Sequence, residues 1–220
     1  MKTCYYETEN DIIEIGIDEV GRGPLFGRVY AAAVILPKDT NSSYEHHRMK
    51  DSKKFHSKKK INEVCEYIKE NALFWTVQYE DEKTIDDINI LQASQSAMHK
   101  CIKELIKHYT STDNIRILVD GNYFKPYTFY DQEKHKIREL ESVCIEGGDN
   151  KYSSIAAASI LAKVERDKYI DDLCEENPYL IERYSLNSNK GYGSKKHIDG
   201  IKKYGITEWH RKSFGICKQY

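Results

Sequence analysis

Apolar and polar positions along this chain switch between a two-residue and a helical spacing. Ile12 to Ile17 is a short isoleucine-rich run ending at Asp18-Glu19, which predicts a strand. Val29 to Leu36 is an almost unbroken apolar run and predicts a buried strand. The spacing then becomes helical: Ser57 can cap a helix that places Ile61, Val64, Cys65 and Ile68 on one side. Leu73 to Tyr79 predicts a third strand. Thr84 is expected to cap a long helix with Ile88, Leu91, Met98, Cys101, Ile102, Leu105 and Ile106 on its apolar side. Ile115 to Val119 predicts a fourth strand, again ending on an acid, Asp120. Ser142 to Ile145 predicts a fifth, followed by Gly147-Gly148-Asp149. Tyr152 to Glu175 reads as one helix, with Ala156-Ala157-Ala158 allowing close packing on a sheet and Pro178 at or beyond its end. From about Lys195 the pattern gives one or two short helices with a basic face. Strands that precede and alternate with helices make this an α/β chain with a mixed sheet.

The 220 residues suit one large domain, or one domain with a small appendage. No repeat, low-complexity tract or Gly/Ser linker divides them. No run approaches the roughly 18 apolar residues that span a membrane, and Met1 to Asp11 lacks the apolar core of a secretory signal. The expected location is therefore cytoplasmic. Six scattered cysteines contain no Cys-x-x-Cys pair, which argues for reduced thiols over a disulfide scaffold or a zinc site.

The global charge is balanced, with 34 basic and 35 acidic residues, but local charge is not. Arg48 to Lys60 carries seven basic residues against Asp51, and Lys190 to Tyr220 carries eight against Asp199 and Glu208. Such patches suit a phosphate backbone, or else are solvated helix faces.

The acids carry the more specific chemistry. If the strands ending in Asp18-Glu19 and Asp120 lie beside the one preceding Asp149, four carboxylates converge at strand ends, where α/β proteins bind ligands. Clustered carboxylates repel one another without a cation, and hard oxygen donors suit Mg²⁺ or Mn²⁺. Two such ions could clamp the attacking and leaving oxygens of a phosphodiester. The plain alternative is that these acids are turn residues or helix caps. Adjacent strand residues face opposite sides, so Asp18 and Glu19 share a site only where the strand ends or bends. The turn Gly21-Arg22-Gly23-Pro24-Leu25 lacks the Gly-Lys-Ser/Thr of a Walker loop and the third glycine of a dinucleotide fingerprint. It still lets backbone approach a ligand closely, and Arg22 could reach a phosphate. A tight turn is its other reading.

Taken together, several blocks resemble bacterial-type ribonuclease HII. They are Gly16-Ile17-Asp18-Glu19-Val20-Gly21-Arg22-Gly23-Pro24-Leu25, Asp51-Ser52-Lys53-Lys54, Asp120-Gly121-Asn122 and Gly148-Asp149. The run from Ala156 to Asp167, the segment Lys190-Gly191-Tyr192-Gly193 with His197, and His210-Arg211-Lys212-Ser213-Phe214 complete the set in the same order. The resemblance implies a ribonuclease H-like fold, with a central mixed β-sheet flanked by helices and a small C-terminal helical part. It implies a catalytic domain over 1–185 and a substrate-binding helical appendage over 186–220, or a single unit.

It further implies an endoribonuclease that cleaves RNA–DNA hybrids and cuts 5′ of single ribonucleotides in duplex DNA. The expected ends are 3′-hydroxyl and 5′-phosphate, produced with two Mn²⁺ or Mg²⁺ ions. Asp18, Glu19, Asp120 and Asp149 match the family's metal-binding acids. Gly21, Arg22 and Gly23 match the turn whose backbone meets the ribose 2′-hydroxyl, and Tyr192 the tyrosine that stacks near the RNA–DNA junction. Lys53 or Lys54 matches a basic residue near the cleaved phosphate. Only the 2′-hydroxyl distinguishes ribose from deoxyribose, and groups placed to bond a hydroxyl reject an analogue lacking it. The implied partner is hybrid or ribonucleotide-containing duplex, with no membrane and a monomeric protein; Ile216 to Tyr220 carries no clear docking motif.

Phe26, Arg28, Asn189 and Phe55-His56 depart from the family pattern, and Tyr123 to Leu140 is longer and more charged than the usual loop. Ser159, Lys163, Arg166 and Asp167 are read as helix packing and ion pairs, and His197 and His210 as structural or phosphate-adjacent. Two alternatives stay open: a hybrid-binding homologue without activity, and ribonuclease HIII-like specificity for runs of ribonucleotides.

Overall fold

Five strands form the central sheet in the order β3-β2-β1-β4-β7 in the computed structural model, which describes residues 1–5, 11–38, 43–109 and 111–220. The polar N-terminal stretch noted above thus lies partly outside the described residues. β1 is Ile13–Val20, β2 Val29–Ile35, β3 Phe74–Glu80, β4 Ile115–Asp120 and β7 Glu141–Ile145. β1, β2 and β3 pair antiparallel, whereas β1, β4 and β7 pair parallel, so the sheet is mixed as expected.

β1 does not end at Asp18-Glu19. Parallel pairing with β4 stops at Ile17↔Val119, but the antiparallel ladder to β2 continues through Asp18↔Ala32 and Glu19↔Ala31 to Val20↔Tyr30. The sequence run looked shorter because the last strand residues are acids rather than apolar groups.

One sheet face packs Ile15, Ile17, Ala33 and Val119 against Met98, Cys101 and Leu105 of α2, Glu82–Ile106. The other packs Ala32 and Val34 against α1, Lys58–Asn71, and α3, Ser153–Glu176. Burial on both faces explains the unbroken apolar run of β2. α3 crosses β1 so closely that a methyl on Gly16 would lie 2.3 Å from the Ser154 carbonyl carbon.

Ser57 caps α1 as expected, but α2 is capped by Asp81, whose carboxylate accepts from Thr84 N–H at 2.8 Å. α2 is also kinked at Asn89 (φ 66°), whose side chain accepts from Gln92 N–H and restarts the helix. The kink breaks the single apolar stripe, so Ile88 and Leu91 are exposed.

Two regions went beyond the expected elements. The charged segment after β4 forms a hairpin of β5, Thr128–Asp131, and β6, Lys136–Glu139, closed by an Arg138–Asp131 ion pair at 2.8 Å. Four-residue strands rich in charge carry too little alternation to stand out. Beyond α3, Pro178 caps α4, Tyr179–Tyr184, which leads into α5, Leu186–Asn189. α6, Lys195–Tyr204, follows. These short helices, with Cys217 of the C-terminal 3-10 turn Gly215–Gln219, pack Leu180, Tyr184, Leu186 and Ile201 around Phe26 and Ile170. All six cysteines are free thiols, and among the described residues no helix is long and apolar enough to cross a membrane.

Candidate active site

The parallel register sets the acids side by side. Asp18 and Asp120 each lie one residue beyond the paired Ile17 and Val119, and strand alternation turns both toward the α3 face. Asp149 comes from the 3-10 turn Gly148–Asn150, which follows β7, the next strand across. Oxygens of Asp18, Asp120 and Asp149 lie within 4.8 Å of one another. Glu19 is outside this trio. Its carboxylate forms a 3.1 Å ion pair with Arg22, while its charge still bears on Asp18.

Burial, then the charges of Glu19 and Asp120, hold the Asp18 carboxyl well above the usual carboxylate range. Burial also raises Glu19, opposed by Arg22. Asp149 is raised by burial and by Asp120 and Asp51, with Lys53 pulling it back. An all-carboxylate, desolvated cluster of this kind fits a hard divalent cation and is destabilised without one.

Polar groups orient these acids. Asp120 Oδ1 accepts from the N–H of Gly148 at 2.6 Å, tying β4 to the Asp149 turn. Asp18 accepts from Glu19 N–H at 2.7 Å and from the Ser159 hydroxyl, which in turn meets Ser52 Oγ at 3.0 Å. Asn150 donates to Asp149 at 2.9 Å and is bonded by the Lys54 ammonium. Both lysines therefore bear on Asp149, Lys53 through its charge and Lys54 through Asn150. Sequence reasoning missed the roles of Ser52, Ser159 and Asn150; Ser52 and Ser159 lie inside resembling blocks, and Asn150 directly follows one.

The glycine turn rests on two buried arginines. A Cβ on Gly21 (φ 97°) would lie 2.5 Å from Arg166 Nε, so only glycine suits both the backbone angle and the space. Arg211 is fully buried and donates to the carbonyls of Gly21, Arg22, Pro24, Gly27 and Arg28 at 2.6–3.1 Å. Burial and the nearby charge of Arg166 lower its pKa to about 9. Arg166 reaches Lys190 O at 2.7 Å and stands 5.7 Å from the Tyr192 ring, which is half-exposed beside Gly23. The C-terminal patch therefore has fewer free cations than its eight basic residues suggested. Arg211 is interior, and Lys190 is ion-paired to Asp171. In the first patch Lys58 is likewise paired with Asp171, at 2.7 Å. Lys163 pairs with Asp167 along α3 at 2.8 Å.

His197 and His210 form a buried relay with one consistent set of tautomers. Thr207 N–H donates to His210 Nδ1 (2.9 Å), His210 Nε2–H to His197 Nε2 (3.1 Å), and His197 Nδ1–H to the Tyr192 carbonyl (2.9 Å). Burial, then the neighbouring His197, lower His210 to about 3. An unfolded histidine titrates near 6.5, so between about 6.5 and 3 the unfolded chain binds the proton and the folded chain does not. The contribution of His210 is thus fully present above about pH 6.5 and is lost progressively below it, by at most about 1.4 kcal/mol per pH unit. Asp18 and Asp149 act in the opposite sense, favouring the fold at low pH. Urea unfolding of wild type and His210→Gln from pH 7.5 to 4.5 should give a shallower pH slope for the variant; equal slopes would rule the relay out as the source.

A mixed sheet carrying carboxylates at the ends of neighbouring parallel strands, covered by helices on both faces, defines a ribonuclease H-like protein. The ribonuclease HII family model matches residues 15–217. Ribonuclease HII of Bacteroides thetaiotaomicron is 42% identical over 206 residues, covering 94% of this chain and 91% of the relative. The chain belongs to the ribonuclease HII family, endoribonucleases acting on RNA–DNA hybrids.

Two solved structures share the fold. The structure of the PCNA:RNase HII complex from Archaeoglobus fulgidus contains a chain that aligns with TM-score 0.65 at 24% identity, covering 93% of this chain and 96% of that one. Bst-RNase HIII in complex with Mn²⁺ aligns with TM-score 0.64 at 15% identity, covering 89% of this chain and 71% of that one.

Proposed function

We propose that this chain hydrolyses the phosphodiester on the 5′ side of a ribonucleotide held in a duplex with DNA. Water oxygen joins phosphorus and the bond to the upstream 3′ oxygen breaks; that oxygen leaves with a proton as a 3′-hydroxyl, and the ribonucleotide keeps a 5′-phosphate. The observation that carries this reading is the desolvated Asp18–Asp120–Asp149 cluster next to an open glycine turn. Asp18, Asp120 and Asp149, joined by Glu19 when Arg22 releases it, would hold two Mn²⁺ or Mg²⁺ ions. Such ions, when bound, supply an ionised water near neutral pH and offset charge on the leaving oxygen.

The remaining roles fall to the chain's own groups. Gly21-Arg22-Gly23 brings backbone to the ribose, and Arg22, exposed at the rim, can turn to a phosphate. Tyr192 offers a flat face beside the turn for stacking at the junction. Lys53 and Lys54 stand near Asp149 on the side where the scissile phosphate would lie. The exposed lysines of α6 suit sequence-independent backbone contact by the helical part, 186–220. No histidine is needed as a base, consistent with the inward-facing His197–His210 pair. We place the protein in the cytoplasm, acting as a monomer.

The test is a labelled DNA duplex containing one ribonucleotide, with an all-DNA duplex and a long hybrid as companions, each in Mg²⁺, Mn²⁺ and chelator. A metal-dependent cut 5′ of the single ribonucleotide, absent from all-DNA, is the expected result. Cleavage of the long hybrid alone would move the specificity to runs of ribonucleotides. Binding without cleavage in either metal would leave a hybrid-binding protein.

A further inference from the structure

Arg211 lies 183 to 190 residues from the carbonyls it binds, and none of these hydrogen bonds goes to the carboxylate cluster. A guanidinium has five N–H donors in a rigid planar fork. Here all its bonds go to a single stretch, Gly21 to Arg28, through Nε, Nη1 and Nη2. Planarity of the trans peptide sets each N–H opposite the preceding carbonyl. Drawing the Gly21 and Arg22 carbonyls inward therefore turns the N–H groups of Arg22 and Gly23 outward. Among the described residues neither N–H has a bonding partner, whereas the next N–H along, that of Leu25, is bonded to Gly191 O at 2.8 Å. The turn thus presents two unpaired donors away from the buried fork, and the Tyr192 ring stands beside the same turn, 3.7 Å from where a Cβ on Gly23 would lie.

We propose that Arg211 is the positioning residue for ribose readout: by gathering the carbonyls of Gly21, Arg22, Pro24, Gly27 and Arg28 beneath the turn, it fixes the outward N–H pair that meets the 2′-hydroxyl. The proposal rests on the reading above that this turn meets the ribose. Lysine at the position keeps the charge but offers a single nitrogen, which cannot span carbonyls bound at three different guanidinium nitrogens. The anchoring around Arg211 is separately adjustable. Asp86 on α2, half-buried, accepts from Lys212 N–H, Ser213 N–H and the Ser213 hydroxyl at 2.5–2.8 Å. Asp86→Ala loosens the segment that carries Arg211 without touching the turn or the acids.

The decisive readout is a preference ratio. Affinities for a duplex with one ribonucleotide and for the same all-DNA duplex are measured in chelator by fluorescence anisotropy, on wild type, Arg211→Lys and Asp86→Ala. A wild-type ratio well above one is the condition for the ribose reading; a ratio of one would refute that reading itself, and the proposal with it. Given that ratio, Arg211→Lys should bring it close to one while all-DNA affinity stays within about twofold, and cleavage 5′ of the ribonucleotide should fall about a hundredfold, mostly in kcat. Asp86→Ala should lower the ratio partly. A wild-type ratio in folded Arg211→Lys, or an equal loss of affinity for both duplexes, overturns the proposal. Should Arg211→Lys fail to fold, Asp86→Ala decides: a lowered ratio supports the positioning role and an unchanged one overturns it.

Discussion

Asp18→Asn is expected to lower hybrid cleavage at least about a thousandfold while raising the melting temperature of the metal-free protein. The two effects share one cause. Asp18 is buried among acids, and its carboxyl is raised first by desolvation and then by Glu19 and Asp120, so its charge is unfavourable to the fold until a cation arrives. Asparagine is nearly isosteric and can keep the bond from Glu19 N–H, and it removes the repulsion. A gain on the order of 1 kcal/mol corresponds to a rise of about 2–4 °C for a chain of this size. Wild type should in turn be stabilised by Mn²⁺ or Mg²⁺, and the variant less so, because binding to the folded state alone raises its stability. Thermal melts in chelator and in each metal, paired with single-turnover cleavage, check both halves. Undiminished cleavage would remove Asp18 from the chemistry; a lowered melting temperature in chelator would mean that the cluster is not under electrostatic strain.

The second large effect is expected from Gly16→Ala, two residues earlier on the same strand. The new methyl would fall 2.3 Å from the Ser154 carbonyl carbon and 2.5 Å from Ile155 nitrogen, both backbone atoms in the first turn of α3. No rotamer change relieves a collision between two backbones, so strand and helix must separate. Overpacking of this kind costs about 3 kcal/mol or more, a fall of roughly 6–12 °C. The displacement also reaches the chemistry, because the same helix start follows directly from the turn holding Asp149, and one turn later carries Ser159 against Asp18. A misplacement of about 1 Å is enough for a loss near a hundredfold. Urea denaturation and cleavage of the variant measure the two effects, and a cost below about 1 kcal/mol with normal cleavage would mean the contact is softer than its geometry implies.

Much of the site was legible because it is written in local pattern. Asp120 closes an apolar strand and Asp149 follows another across two glycines, so both stood out as acids at strand ends. Asp18 stood out too, although the strand runs past it. The antiparallel ladder to β2 outlasts the parallel one to β4, and no local feature encodes which partner strand is longer. Glu19 is paired with Arg22 rather than gathered into the trio, a partner that spacing along the chain does not specify. Arg211 is the sharpest contrast. In sequence it belongs to a resembling block and counts among the cations of a basic C-terminal stretch, whereas in the fold it is buried and bonded to carbonyls far back in the chain. Likewise the apolar side assigned to α2 included Ile88 and Leu91, which the kink at Asn89 turns outward.

The sequence by itself determined the element types, the α/β class, the ribonuclease HII resemblance and the acids available for chemistry. Periodicity, strand-end acids and glycine turns act over a few residues and can be read there. The tertiary structure alone decided which carboxylates meet, which basic residues remain free for a phosphate backbone, and what holds the glycine turn open. Those outcomes depend on strand register and on burial across more than a hundred residues of chain, where desolvation and packing, rather than local preference, set the energy.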